Sequence, residues 1–407
     1  MSSFIVALAM MGSIAPPPDA VIAPLPRICP RDGRFVEKVS GKTFHPAGFH
    51  YIRILPEGPH YVFAPTKYDP DRAEAMLSDL ERHGFNVVRV FLGALELTQG
   101  DALSEEFVDN LADFITRATR HRVYVLPVVD WLPPSNRYKS ILANARPDVG
   151  GMQAMFMDAA HTQSKKLYLI DLIGMLKKRI PTLLSTVFAY ELENEVNADL
   201  TCPPFSQASG SFAYKGKTYN LANDRALQKL LDAAIIDNAN ALVAAIRTED
   251  PDAMAAYSVF TYAAVGRSGP GKMRSDTSPD TRCPIRPLAL ARSDLSYVDL
   301  HFYAPSPEGF RRDMEAVEWN KLTSVCRTRG KPILAGEYGV PSPLASTGEQ
   351  AASIAVWHAN AIREQGLEGG IFWTYDCHEQ RDVINAKQFD GAIFDALAAF
   401  HRRRSSP

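Results

Sequence analysis

Short apolar runs alternate with amphipathic stretches along most of this chain. The runs are Ala47–Phe49, Val87–Leu92, Val123–Val129, Val187–Leu192, Ala255–Val259, Tyr297–Tyr303, Ile333–Gly336 and Gly370–Thr374. Between them the spacing changes to that of helices. In Asp71–His83 the apolar positions Ala73, Met76, Leu77 and Leu80 form one helix face, and Gly84 stops it. Glu105–His121 repeats the scheme with Phe107, Leu111, Phe114 and Ile115. Further helices are predicted over Lys166–Arg179, Asp224–Thr248, Glu315–Thr328, Glu349–Glu364 and Asp390–Arg403.

Alternation of this kind predicts βα units and a parallel sheet. Eight such strands with helices between them predict an α/β fold, a (β/α)8 TIM barrel. A doubly wound sheet would announce a Gly-rich phosphate turn after its first strand, and no G-x-G-x-x-G occurs here. The surplus length lies in three loops, 132–163, 196–223 and 261–293. All leave the C-terminal ends of strands, the face on which barrel enzymes carry their sites. Ser211–Tyr219 alternates aromatic and polar residues around Lys215-Gly216, as a hairpin over the cleft would. Residues 24–404 read as one barrel domain. Residues 1–23 read either as a signal or anchor segment or as buried N-terminal chain. Phe4–Ala15 has the length of a secretory apolar region and a small-residue end, but no Lys or Arg precedes it.

Composition narrows the function by exclusion. A net charge of −2 offers no electrostatic case for nucleic acid or an anionic membrane surface. No apolar stretch reaches transmembrane length. The five cysteines are dispersed without a C-x-x-C pair, which argues against a structural zinc site. Cys202 and Cys283 lie in loop-like segments and either pair in an oxidising compartment or stay free. The pattern implies no cofactor and no metal.

Two carboxylates carry the chemistry. Glu195 ends the run Phe188-Ala189-Tyr190-Glu191-Leu192-Glu193-Asn194-Glu195, and Glu337 follows Ile333-Leu334-Ala335-Gly336. They fall on the fourth and seventh predicted strands. A pair of carboxylates on strand ends is what hydrolysis of a glycosidic bond requires. Strict alternation puts Glu191, Glu193 and Glu195 on one face and Asn194 on the other, so strand four must end or bulge at Asn194 if both are to line a cleft. Glu191 and Glu193 then belong lower in the barrel, paired with residues such as Arg89 or Arg122.

Five short motifs in order resemble clan A of the retaining glycoside hydrolases, and most closely glycoside hydrolase family 5. These are Arg89 in Val88-Arg89-Val90, Asn194-Glu195, His301-Phe302-Tyr303, Glu337-Tyr338-Gly339, and Trp373 in Ile371-Phe372-Trp373. The resemblance implies a retaining glycosidase with Glu195 as acid/base and Glu337 as nucleophile. It acts on β-linked glucan, mannan or related oligosaccharides. The resemblance further implies that Arg89 and Tyr303 keep Glu337 ionised, that Asn194 binds the sugar 2-hydroxyl, and that Trp373 stacks on a sugar ring. His301, Trp131 and His50 are the remaining candidate substrate contacts. Many members of the family carry His at the end of strand three, where this chain has Asp130. Expected with this reading are a monomer, a secreted or periplasmic location, and a protonated Glu195 beside an ionised Glu337. The rival reading is a catalytically inactive, sugar-binding barrel, which would keep Trp373 but lose a carboxylate.

Overall fold

The computed structural model describes residues 22–55, 58–59, 62–93 and 97–405; most of the expected segment 1–23 lies outside them. All eight predicted strands form, and they pair in parallel in chain order. They are Ala47–His50, Val87–Phe91, Tyr124–Val128, Tyr190–Glu191, a divided fifth strand, Val298–Phe302, Ile333–Tyr338 and Gly370–Phe372. The fifth strand is split at Tyr257. Its first half, Ala255–Ala256, pairs with strand four, and its second half, Ser258–Phe260, pairs with strand six. Together the halves bring the two edges of the sheet around to each other, so this is the (β/α)8 barrel that the periodicity predicts.

The helices start where a side chain can accept the free N–H groups of a first turn. Asp69, Ser104, Asp158, Asn223 and Thr347 cap the helices Pro70–Arg82, Glu105–Arg120, Ala159–Arg179, Asp224–Glu249 and Gly348–Gln365 in this way. The Asp158 cap starts its helix seven residues before the predicted Lys166. The helix predicted over Glu315–Thr328 runs from Trp319 to Thr328, and an unpredicted helix, Pro307–Ala316, precedes it. Glu318 separates them with φ +57, a left-handed conformation that no helix continues through.

A three-stranded antiparallel sheet, unforeseen in the sequence, closes the N-terminal end of the barrel. Ile28–Arg31 and Arg34–Glu37 turn tightly through Asp32-Gly33, both at positive φ, and Thr43–Phe44 completes the sheet. It drives Phe35 into the barrel mouth, where that ring sits 5.2 Å from Phe188 and 5.3 Å from Tyr297. Leu126, Leu334 and Ile371 pack in the same cluster.

At the opposite end the long loops are partly ordered. The loop after strand four contributes Asn197–Asp199, which pairs antiparallel with Arg282–Pro284 from the loop after strand five. The expected hairpin forms from Ser211–Tyr214 and Lys217–Asn220. It packs against Arg146 through Phe212 and reaches Asp237 of the helix Asp224–Glu249 through Lys215. All five cysteines are free thiols. Cys202 donates to Asp199 at 3.3 Å, while Cys283 is buried opposite Ala198.

Candidate active site

Strand seven carries one residue too many. Asp299 and His301 of strand six lie opposite Leu334 and Glu337, so two steps on one strand face three on the other. The same shift appears against strand eight, between Ala335–Tyr338 and Gly370–Phe372. This is a β-bulge, which re-aims the side chains beyond it. It sits at Ala335-Gly336, immediately before Glu337, and turns the Gly336 carbonyl to accept from His50 at 2.9 Å.

Strand four solves the Asn194–Glu195 difficulty by ending early. Its regular part is only Tyr190–Glu191. Glu195 then takes φ +50, and its N–H donates to the Ser258 hydroxyl at 3.0 Å. The left-handed residue reorients the chain, so the side chains of Asn194 and Glu195 both enter the cleft. Asn194 reaches Arg89, whose Nη2 donates to its Oδ1 at 2.7 Å. Glu195 reaches His301 Nδ1 at 3.2 Å.

Arg89 organises the centre. It is fully buried on strand two and holds Glu191 through two hydrogen bonds, one of 2.6 Å from Nε. It also donates to Glu337 Oε2 at 3.3 Å and meets His50 Nδ1 at 3.0 Å. Guanidinium has donors only, so His50 Nδ1 must be the acceptor. His50 is therefore neutral, with its proton on Nε2 facing Gly336. Tyr303 donates to the other oxygen of Glu337 at 2.5 Å. Burial and the Glu337 charge raise the Tyr303 phenol well above its ordinary value, which keeps it a donor.

Both oxygens of Glu337 thus receive hydrogen bonds, the arrangement that fits a carboxylate anion. Its pKa is nevertheless raised, by burial first and by the charge of Glu195, against the pull of His301 and Arg89. Glu195 moves the other way. Burial opposes its ionisation, but the hydrogen bond and charge of His301, with Arg89 and Arg282 behind, hold it below the usual range. Burial would lower His301, yet Glu337 and Glu195 raise it to about 8. These directions run against the expectation of a protonated Glu195: its carboxyl is held down and His301, one 3.2 Å hydrogen bond away, is held up.

One ligand-type atom from each of Glu195, His301 and Glu337 lies within 4.8 Å of the others, the only cluster among the described residues spaced like metal ligands. Arg89, a permanent cation 3.3 Å from Glu337, already neutralises it and would repel a second cation.

Trp373 closes the floor. It is 8% exposed, lies 4.7 Å from the His50 ring, and donates from Nε1 to Gln380 at 2.7 Å. Tyr303, Phe91 and Ile52 pack in the same apolar patch. Trp131 stands apart on the rim, 55% exposed. Beneath it Asp130, Glu193 and Lys165 form a buried group. Lys165, not Arg89 or Arg122, is the partner of Glu193, at 2.9 Å. Burial and Glu193 push the Asp130 carboxyl up to about 8. Beyond Glu195 the cleft opens into a cavity of about 500 Å³ bordered by His301, Tyr303, Phe260, Arg282 and Asp313. Sequence reasoning missed Asp299, Lys165, Ser258 and Gln380. Of these only Asp299 had a signal, its place two residues before His301 on the same strand face.

The parallel barrel thus carries two carboxylates, Glu195 and Glu337, close together at its C-terminal end. Residues 57–378 match the family model described as cellulase (glycosyl hydrolase family 5), and the chain belongs to that family. No curated protein sequence matches the chain. Among solved structures it is similar to the exo-β-1,4-mannosidase Op5Man5 from Opitutaceae bacterium strain TAV5, at 16% identity and a TM-score of 0.57. That match covers 92% of this chain but only 62% of the Opitutaceae protein. It is also similar to GH5_18 from Streptomyces cattleya in complex with Manβ1-4GlcNAc, at 17% identity, TM-score 0.57, over 89% and 82% of the two chains. A third is the endo-1,4-β-D-mannanase from Thermotoga petrophila RKU-1, at 14% identity, TM-score 0.55, over 88% and 100%. Among the described residues no helix is long and apolar enough to cross a membrane.

Proposed function

We propose that the protein is a retaining β-glycosidase, secreted and monomeric, whose catalytic unit is residues 24–404. Glu337 is its nucleophile and Glu195 its acid/base. The observation that carries this reading is the approach of one oxygen of each carboxylate to within 4.8 Å. Retaining enzymes hold the two groups about 5–5.5 Å apart, whereas inverting ones leave room for a water at about 6.5–9.5 Å.

In the first step Glu337 attacks the anomeric carbon while Glu195 protonates the departing oxygen. In the second step Glu195 accepts a proton from water, and the water oxygen displaces Glu337. Arg89 and Tyr303 stabilise the charge on Glu337 before attack and after release. Asn194, held by Arg89, presents its amide N–H₂ to the sugar 2-hydroxyl. Trp373 offers an apolar face beside the reacting ring, and Trp131 one on the rim, as sugar C–H groups prefer. His50 fixes the bulge carbonyl and so the orientation of strand seven.

The substrate is a β-linked mannan, glucan or related oligosaccharide. The structural neighbours bear names of β-mannoside-acting enzymes, but at 14–17% identity they speak for the fold alone. The test is a product profile on β-mannans, β-glucans and their aryl glycosides, with the anomer released followed by NMR. Release of the β anomer first supports the reading; release of the α anomer first overturns retention.

A further inference from the structure

The proposed chemistry gives Asp299 no task, yet the barrel is built around it. Asp299 lies on strand six, fully buried, and neither of its carboxyl oxygens has a well-formed hydrogen bond, the Gly336 N–H being the backbone donor that acts on it from strand seven. An unpaired buried carboxylate is costly and calls for a reason. Across from it, His301 Nε2 is also buried without a partner, 3.9 Å from Asp299 Oδ1. The bulge in strand seven makes the room. A Cβ on Gly336 would fall 1.9 Å from Asp299 Oδ1, so only glycine there lets the carboxyl stand beneath the imidazole.

The other charged groups facing this pair are already engaged. Arg89 from strand two binds Glu191, Glu337 and Asn194, and Glu191 from strand four is bound by Arg89. Tyr297, two residues before Asp299, adds a buried neutral hydroxyl that is also without a partner. Above, His301 Nδ1 is faced by Glu195 at 3.2 Å and Glu337 at 3.5 Å. Beside the neutral Gly336 N–H and Tyr297 hydroxyl, the imidazole is the ionisable partner left to Asp299.

We propose that Asp299 is a positioning residue for acid/base catalysis: it holds the Nε2–H of His301 toward the barrel interior, so that Nδ1 faces Glu195 and one proton is shared between them. The proposal rests on the reading of Glu195 as acid/base. The proton balance is closed. At rest His301 is doubly protonated and Glu195 ionised. Transfer along the 3.2 Å bond leaves His301 neutral, keeping its Nε2 proton, and leaves Glu195 protonated for the departing oxygen. Asp299 remains an anion throughout and exchanges no proton. Its own pKa supports this at mildly alkaline pH: burial and Glu191 raise it to about 7, while His301, itself at about 8, pulls it down.

The test compares the full-length protein with Asp299→Asn, which removes the charge and keeps the shape, and with Asp299→Ser as a second variant. Imidazole titration by NMR, assigned against His301→Gln, should place His301 near 8 in the parent. Without the carboxylate the midpoint should fall by about one pH unit, a tenfold change in proton affinity. The alkaline limb of kcat/KM should fall with it, so that the loss is largest at high pH. An unmoved His301 midpoint in both variants overturns the proposal. So does a loss of activity equal at all pH values, which is what a purely structural role would give. A parent protein that hydrolyses no β-glycoside would instead sink the glycosidase reading, and the NMR midpoint would still decide whether Asp299 governs His301.

Discussion

The two ends of this barrel interior are filled by opposite chemistry. At the N-terminal end Phe35, Phe188, Tyr297, Leu126 and Ile371 make a plug of rings and aliphatic chains. At the C-terminal end Arg89, Glu191, Asp299, His301 and Glu337 bring five ionisable groups into one buried layer. Each end also borders a cavity of similar size, about 520 Å³ below and about 500 Å³ above. The lower one is lined by Glu37, Lys42, His45 and Arg122, with no facing pair of carboxylates. Cavity size therefore says little about where the chemistry lies. The plug contributes stability that needs no precision, because apolar burial is non-directional. In the charged layer Arg89 binds Glu191 and Glu337 by hydrogen bonds, and removing that cation leaves two carboxylates buried and unmatched.

That contrast is open to attack by substitution. The largest effect belongs to Glu337→Gln, which should cut kcat by about three orders of magnitude or more while leaving the thermal midpoint near that of the parent. Retention of a tenth of the activity would remove Glu337 from its role. Glu195→Ala comes next, and its signature is selectivity. Glycosides with poor leaving groups should lose most activity, activated aryl glycosides much less, and azide should restore part of the rate. Equal loss on both, without an azide effect, would contradict the acid/base assignment.

Smaller effects separate the two ends by stability. Arg89→Met should cost about 3–5 kcal/mol in chemical denaturation and lower activity as well, though less than Glu337→Gln does, since it strands Glu191 and Glu337. Phe35→Ala should cost about 3–4 kcal/mol through the cavity it opens, and leave the pH profile of kcat/KM in place. A shifted profile in that variant would mean that the plug and the charged layer are coupled. Trp131→Ala, at an exposed rim, should change stability by no more than about 0.5 kcal/mol and act on KM alone.

The apolar end and the charged end were not equally legible. The strands were readable because both faces of a parallel barrel strand are buried, so each appears as an apolar run. Arg89, His301, Tyr303 and Glu337 stood out as polar exceptions within such runs, in a familiar order. Asp299 is the same kind of exception, but without a motif partner it passed for an ordinary barrel residue. The direction of charge within the cluster was misread because it depends on His301, whose ionisation is raised by Glu337 and Glu195, two carboxylates that only the folded chain assembles. The N-terminal sheet escaped although Arg31-Asp32-Gly33-Arg34 contains an Asp-Gly turn dipeptide. Its strands are too short to show a period. Lys165 was invisible as the partner of Glu193 because it comes from a helix whose true start is set by the Asp158 cap.

The short ladder between Asn197–Asp199 and Arg282–Pro284 has a practical consequence for anyone wishing to re-tailor this cleft. It fastens together two loops that are far apart in the chain, and it begins two residues after Glu195. Transplanting either loop alone from a relative would leave a row of unmatched backbone groups beside the acid/base residue and loosen its setting. Grafts should therefore move 196–223 and 261–293 as a single cassette, with Ser258 kept as the anchor of the Glu195 N–H.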